Sequence, residues 1–183
     1  MDIKILVPVA NGSEEIETVI IVDMLRRAGI QVKVAGESEI ITCSRGVKII
    51  PDILIESIVE EDHFDAIVIP GGNQGVFNLN RNEYLQSICK RHKDKNVTFA
   101  ALCSATTLLT QQKIADPGSF ITSHPSVKDL FEGYQFVDEE VVEDGHIITS
   151  QGAGTAFAFA LHLIEKFCGS EIADKVSKDI VLK

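Results

Sequence analysis

An α/β fold with a mostly parallel sheet is predicted by three observations. Ile3 to Val9, Asp65 to Ile69 and Val97 to Leu102 are near-continuous apolar runs, the pattern of strands buried on both faces. Stretches with helical apolar spacing separate strand-like runs, as in β-α-β units. At Cys103 a β-branched, apolar run passes through small residues (Ala100-Ala101-Leu102-Cys103-Ser104-Ala105) straight into a new helical stripe. Such a sharp strand-to-helix turn is a nucleophile elbow. A chain of 183 residues suits one α/β domain. No repeat, linker or low-complexity segment divides it, so 1–183 is expected to be a single unit.

The elements follow in order. After the first strand, closed by Ala10-Asn11-Gly12, a helix is expected with Asn11 or Ser13 as its cap. Glu14 and Glu15 suit its positive end as solvated carboxylates, Ile16, Val19, Ile20 and Met24 follow its spacing, and Gly29 stops it. Ile30 to Ala35 completes a β-α-β unit, whose first loop lies at a strand's carboxyl end, where open α/β sheets bind ligands. Ile40 to Cys43 and Val47 to Ile50 flank Ser44-Arg45-Gly46 as a hairpin that Pro51 ends. Pro70-Gly71-Gly72-Asn73, at the end of the next strand, permits a turn with free N–H groups of the kind that forms an oxyanion site; Gly-Gly also marks ordinary turns.

Asn82 to Lys93 is amphipathic, with Leu85, Ile88 and Cys89 inward and Lys90-Arg91-His92-Lys93 as a solvated basic end. Beyond the elbow, Phe120-Ile121-Thr122 is a short strand leading to Ser123-His124-Pro125. Val141-Val142 and Ile147-Ile148-Thr149 flank Glu143-Asp144-Gly145 as a hairpin. Thr155 to Phe167 is a helix with Phe157, Leu161, Ile164 and Cys168 at core spacing, stopped by Gly169.

Composition narrows the function classes. A formal net charge of -10 disfavours attraction to phosphate backbones, so no nucleic-acid partner is expected. Four cysteines without a C-x-x-C pair indicate neither a zinc site nor a disulfide framework, and free thiols fit a reducing compartment. No apolar run approaches a membrane span and no secretory leader is evident, which makes a soluble cytoplasmic protein the expectation.

At a helix start, backbone N–H groups and the dipole favour a thiolate and lower a cysteine's pKa. Cys103 is therefore a candidate nucleophile, set against the alternative of a buried structural cysteine. His124, in a loop at a strand end, is either part of a site or merely exposed; His63, His92, His146 and His162 need no functional account.

Further motifs share one order and spacing with the ThiJ/PfpI superfamily: Gly12-Ser13-Glu14-Glu15-Ile16-Glu17-Thr18, Arg26-Arg27-Ala28-Gly29, Cys43-Ser44-Arg45, Pro70-Gly71-Gly72-Asn73, Ala100-Ala101-Leu102-Cys103, Ser123-His124-Pro125 and Thr149-Ser150-Gln151-Gly152. The chain resembles this superfamily over nearly its whole length, and within it the branch of the parkinsonism-associated deglycase and its bacterial YajL-type relatives. The resemblance implies a flavodoxin-like three-layer sandwich that forms a homodimer. It also implies Cys103 as nucleophile, Glu17 as its partner carboxyl, Gly72 and Ser104 as backbone N–H donors, His124 as the nearby histidine, and Arg45 and Arg27 near the site and the dimer contact. Ser104-Ala105-Thr106 replaces the Ala-Gly-Pro or Ala-Ala-Pro common in the family, and Gly152-Ala153-Gly154 its Gly-Pro-Gly. Gln151 stands where some relatives carry arginine.

Two anions within hydrogen-bond reach would repel, so Cys103 and Glu17 are expected to share one proton as thiolate and carboxylic acid. Without the resemblance, Glu17 reads first as a solvated first-turn carboxylate. The implied activity is that of a cofactor-independent glyoxalase or protein deglycase acting on α-oxoaldehydes or glycated protein, with no metal. The alternative is a redox-sensing chaperone whose Cys103 is oxidised to sulfinate. A cysteine protease or amidase fits less well, because the protease branch has a histidine directly after the nucleophile where this chain has Ser104.

Overall fold

A computed structural model describes residues 2–95 and 97–182; the expected unit 1–183 also takes in Met1, Asn96 and Lys183, which lie outside the described residues. The strands are β1 (Lys4–Val9), β2 (Gln31–Gly36), β3 (Ile41–Thr42), β4 (Lys48–Ile49), β5 (Ile53–Leu54), β6 (Ala66–Ile69), β7 (Thr98–Leu102), β8 (Phe120–Ile121), β9 (Gln135–Phe136), β10 (Val141–Asp144) and β11 (Ile147–Ser150). The helices are α1 (Glu15–Arg27), α2 (Asn73–Arg81), α3 (Glu83–Lys93), α4 (Thr106–Gln111), α5 (Ala156–Cys168) and α6 (Ser170–Asp179).

One seven-stranded sheet has the order β10-β11-β7-β6-β1-β2-β5. All its pairings are parallel except the β10–β11 hairpin at one edge. Alternation along β1 divides the core: Ile5, Val7 and Val9 face one apolar cluster and Leu6 the other. Ile21, Met24 and Leu25 of α1, Phe159 and Leu163 of α5 and Val176 of α6 fill the first cluster. Val76 and Leu79 of α2, Leu85 and Ile88 of α3 and Leu108 of α4 fill the second. Helices thus cover both faces of a mostly parallel sheet, and the fold is a flavodoxin-like three-layer sandwich. No helix among the described residues is long and apolar enough to cross a membrane.

Several expectations are corrected. Glu14, rather than Asn11 or Ser13, caps α1 by accepting the Glu17 N–H. Asn11 and Ser13 are occupied elsewhere, accepting the N–H groups of Thr42 and Ala10. In α1, Ile16 and Val19 are each 53% exposed, while Glu15 and Glu17 are buried. In α5 the inward face is Ala156, Phe159, Ala160, Leu163 and Ile164, leaving Phe157 exposed and Leu161 and Cys168 only partly buried. Both helices are apolar around much of their circumference, so periodicity alone does not identify the inward side.

Two helices lacked a clear sequence signal. Gln74, Gly75 and three asparagines mask α2, whose buried face is Gly75, Val76 and Leu79. Gly169 does not end the helical region but turns it, at φ 89°, into α6. On the hairpin edge, Glu143 of β10 bonds Lys166 and His162 of α5, and the Asp144 carboxylate accepts the Phe120 N–H.

His92 is the buried exception in the basic end of α3, 1% exposed. Its Nδ1 faces the Ile88 carbonyl at 2.8 Å, and its Nε2 accepts the Phe64 N–H at 3.3 Å, which is the neutral Nδ1–H tautomer. Burial, aided by nearby Arg91, Lys95 and His63, lowers its pKa. Its stabilisation is therefore complete above the unfolded histidine value of about 6.5 and is lost as pH falls through 6.5 towards the lower native value. Urea midpoints should fall more between about pH 7.5 and about pH 5.5 for wild type than for His92→Gln; equal falls would refute this.

Candidate active site

The strand order reverses between β1 and β6, and the loops leaving their carboxyl ends meet the elbow that follows β7. This is the crevice where open α/β sheets take ligands. Cys103 follows β7 with φ 64°, a left-handed backbone that is sparsely populated by non-glycine residues and that aims the side chain out of the sheet edge. A 3₁₀ turn, Cys103–Ala105, then feeds α4. The turn is tied in place: Thr107 Oγ1 donates to the Ser104 carbonyl at 2.7 Å, and Thr106 Oγ1 to the Thr122 carbonyl at 2.9 Å.

Glu17 reaches this sulfur from the first turn of α1. Only 1% of it is exposed, its Oε2 accepts the Gly71 N–H at 2.7 Å, and its carboxylate accepts a hydrogen bond from the Cys103 thiol. The N–H groups of Gly72 and Ser104 point at the sulfur. The two glycines are required for different reasons. A Cβ on Gly71 would lie 2.6 Å from Cys103 Cβ and 2.8 Å from Glu17 Oε2; on Gly72, at φ 92°, it would lie 2.3 Å from the Gly12 carbonyl oxygen.

Burial raises the Glu17 carboxyl to about 7, against the pull of the Gly71 N–H and the thiol. Burial and the Glu17 charge likewise push the Cys103 thiol upward, opposed by the Ser104 and Gly72 N–H groups. The expectation that the helix start alone lowers the thiol is thus corrected: desolvation and a facing carboxylate outweigh it. Repulsion arises only when both groups have lost a proton, so one negative charge and one proton belong to the pair; with the proton on Glu17 the sulfur is the thiolate and Glu17 its donor. Cys43 and Cys89 have no such partner, and burial pushes them up to about 11 and about 12.

A cleft of about 550 Å³ opens over the sulfur. His124, Arg45 and Glu14 line it together with Cys103, Glu17 and Gly72, so the structure brings six sequence-predicted or neighbouring positions into one place. His124 is exposed and accepts from Ser126 through Nδ1; its link to the nucleophile is its backbone N–H, which donates to the Cys103 carbonyl at 3.3 Å. Arg27 is not brought to the cleft: it lies in the last turn of α1, ten residues and about 15 Å of helix beyond Glu17, paired with Asp23. Gln151 donates to Asp138. The sequence reading missed Gly71 as the Glu17 donor, and Cys43 and Ser44 as cleft walls. All three had a signal, as members of the Pro70-Gly71-Gly72-Asn73 and Cys43-Ser44-Arg45 motifs, but neither motif says what its residues touch. No cluster of His, Cys, Asp and Glu side chains suited to a metal occurs among the described residues.

Residues 3–166 match the DJ-1/PfpI family. The chain is 40% identical to the zebrafish (Danio rerio) Parkinson disease protein 7 homolog over 98% of itself and 97% of that protein. It is 35% identical to the glutathione-independent glyoxalase DJR-1.2 of Caenorhabditis elegans, over 97% and 95% of the two chains. The crystal structure of Drosophila melanogaster DJ-1beta superposes with a TM-score of 0.94 at 38% identity, covering 100% of both chains.

Two measurements check the site. Iodoacetamide labelling of Cys103 should rise with pH along a titration centred near the Glu17 value of about 7, while Cys43 and Cys89 stay unlabelled through pH 9. Labelling of Cys103 only in step with Cys43 would contradict the shared proton. Gly71→Ala should cost about 1–3 kcal/mol in urea unfolding through overpacking, whereas Gly154→Ala, whose Cβ meets nothing within 4 Å, should cost far less.

Proposed function

Since the chain belongs to the DJ-1/PfpI family, we propose that it is a cofactor-independent glyoxalase and protein deglycase, acting on methylglyoxal-type α-oxoaldehydes or their protein adducts through the Cys103 thiolate. The observation that carries this reading is a buried carboxyl set against the Cys103 thiol, with the Gly71 N–H on the carboxyl and the Gly72 and Ser104 N–H groups at the sulfur. The glyoxalase among its relatives supports a small carbonyl substrate.

The thiolate adds to the aldehyde carbon, and the new alkoxide, held by the N–H groups of Gly72 and Ser104, takes the Glu17 proton to give a hemithioacetal. The Glu17 carboxylate then removes the proton on that carbon, giving an enediolate, and returns it to the neighbouring carbon, while the hydroxyl proton passes from the first oxygen to the second as the thioester carbonyl forms. The product is a thioester of a 2-hydroxy acid. Water opens it, releasing lactate when the substrate is methylglyoxal and restoring the thiolate. Adducts on protein amino or thiol groups would release the same dicarbonyl fragment into this cycle. Protection against carbonyl and oxidative stress in the cytoplasm is the corresponding role, and His124, at the cleft mouth, would contact substrate rather than move protons.

A redox-sensing chaperone is the second reading, favoured by the partial exposure of Cys103 and by donors that would hold sulfinate oxygens. The two readings separate in one titration with peroxide. An enzyme loses lactate formation in proportion to Cys103 oxidation, whereas a sensor gains suppression of client aggregation over the same range.

A homodimer is part of the proposal. Val19 and Ile50, 53% and 80% exposed, line one shallow groove with Val22, and Ile16 extends the apolar face by a turn. A second copy covering this face would bring Arg27, on the same helix, to the contact.

Reduced wild type should form lactate from methylglyoxal, Cys103→Ser should fall to background, and Glu17→Gln should lose about 10²–10⁴-fold while still reacting with iodoacetamide. Equal activity in Glu17→Gln and wild type would remove Glu17 from proton transfer. Sedimentation should show a dimer for wild type and a monomer for Val19→Asp; a monomeric wild type at micromolar concentration would overturn the dimer.

A further inference from the structure

Of the three carboxylates at the start of α1, Glu14 caps the helix and Glu17 faces the sulfur, which leaves Glu15. It is 7% exposed, and burying a charge is unfavourable unless hydrogen bonds compensate. Part of the compensation is the backbone N–H of Glu15 itself, and the rest comes from a single turn. Glu15 Oε2 accepts from Ser44 Oγ at 2.8 Å, Oε1 accepts the Arg45 N–H at 2.8 Å, and the Val47 N–H approaches Oε1 at 3.4 Å. Together with the Glu15 N–H, these bonds lower the Glu15 pKa despite its burial. Main-chain bonds continue the seam: Ser44 N–H donates to the Ser13 carbonyl and Gly12 N–H to the Thr42 carbonyl, both at 2.9 Å. The turn so held joins β3 to β4, and its Cys43, Ser44 and Arg45 form part of the wall of the cleft that Cys103 also lines.

We propose that Glu15 is a positioning residue of this cleft: its carboxylate latches the 43–47 turn to the first turn of α1 and thereby sets the shape, and the substrate affinity, of this part of the wall. The inference rests on the reading of the cleft as a substrate site. Glu15 touches no reacting atom. β3 and β4 are only two residues each and pair only with one another, so the hairpin has little sheet to hold it once the latch is gone. The helix that supplies the proton-transfer carboxyl therefore also carries the restraint on the wall.

Cys43 gives a readout independent of turnover. It is 4% exposed within the wall, whereas Cys89, 0% exposed, is packed in the opposite core and reports global unfolding. In Glu15→Ala, N-ethylmaleimide should label Cys43 about tenfold faster than in wild type while Cys89 stays protected, the scale of one lost charged hydrogen bond. KM for methylglyoxal should rise by a similar about tenfold factor with kcat nearly unchanged, a loss of uniform binding. Glu15→Gln, which keeps an acceptor for the Arg45 N–H, should restore most of both quantities. Should Glu15→Ala fail to fold, Ser44→Ala removes one bond of the latch and should shift Cys43 labelling in the same direction. Unchanged Cys43 labelling and KM in folded variants would overturn the latch and leave the enzyme reading standing. Absent lactate formation in wild type, with Cys43 labelling still rising in Glu15→Ala, would overturn the enzyme reading and leave the latch.

Discussion

A carboxyl and a thiol buried together can share a proton only if the chain brings donors to them and leaves no room for anything else. That constraint organises the edge of the sheet. Glu17 is acceptable in the interior because the Gly71 N–H and the Cys103 thiol both bond it, and Gly71 can approach only because it has no side chain. Cys103 meets the carboxyl because its left-handed backbone turns the sulfur away from the strand direction. Each arrangement is unfavourable in isolation, and the hydroxyls of Thr106 and Thr107 help to hold the strained turn that combines them.

The first turn of α1 shows how position along a helix separates chemically identical groups. Glu14, Glu15 and Glu17 differ by one and two residues, roughly 100° and 200° around the axis, and so face the helix start, the hairpin and the sulfur. Their environments follow. Backbone donors keep the Glu15 carboxylate ionised, while poorer compensation raises Glu17 into the range where a proton can be exchanged at neutral pH. Divergent pKa values within one helical turn come from what each side chain meets, not from distance to the dipole.

The parallel sheet, the elbow and the order of most elements were legible because buried strands leave apolar runs and turns leave glycine, proline and asparagine. The cysteine was a candidate from the elbow alone, set against a buried structural thiol, whereas its carboxyl partner was legible only through motifs shared with a family. The inward faces of α1 and α5 were not, because an apolar residue on an exposed face is indistinguishable in sequence from one in the core. Ile16, Val19 and Phe157 are of this kind. Nor could Glu15 be distinguished from a solvated first-turn glutamate. Its partners lie about 30 residues away on a hairpin whose placement only the folded chain supplies. His92 was hidden likewise, a single inward ring in a run of basic residues.

The two edges of the main sheet bear on how copies of this molecule can associate. β5 has only two residues, and β10 carries Glu143 and Asp144, engaged by α5 and by the chain at Phe120. Short and charged edges are poor templates for strand addition. Open-ended growth of fibrils from the native sheet is therefore disfavoured, while a helical face with its own apolar groove stays open to docking. A protein working among reactive carbonyls, whose adducts neutralise lysine and arginine charges, would gain from such a division. Loss of surface charge would then weaken solubility without exposing a strand on which aggregation could propagate.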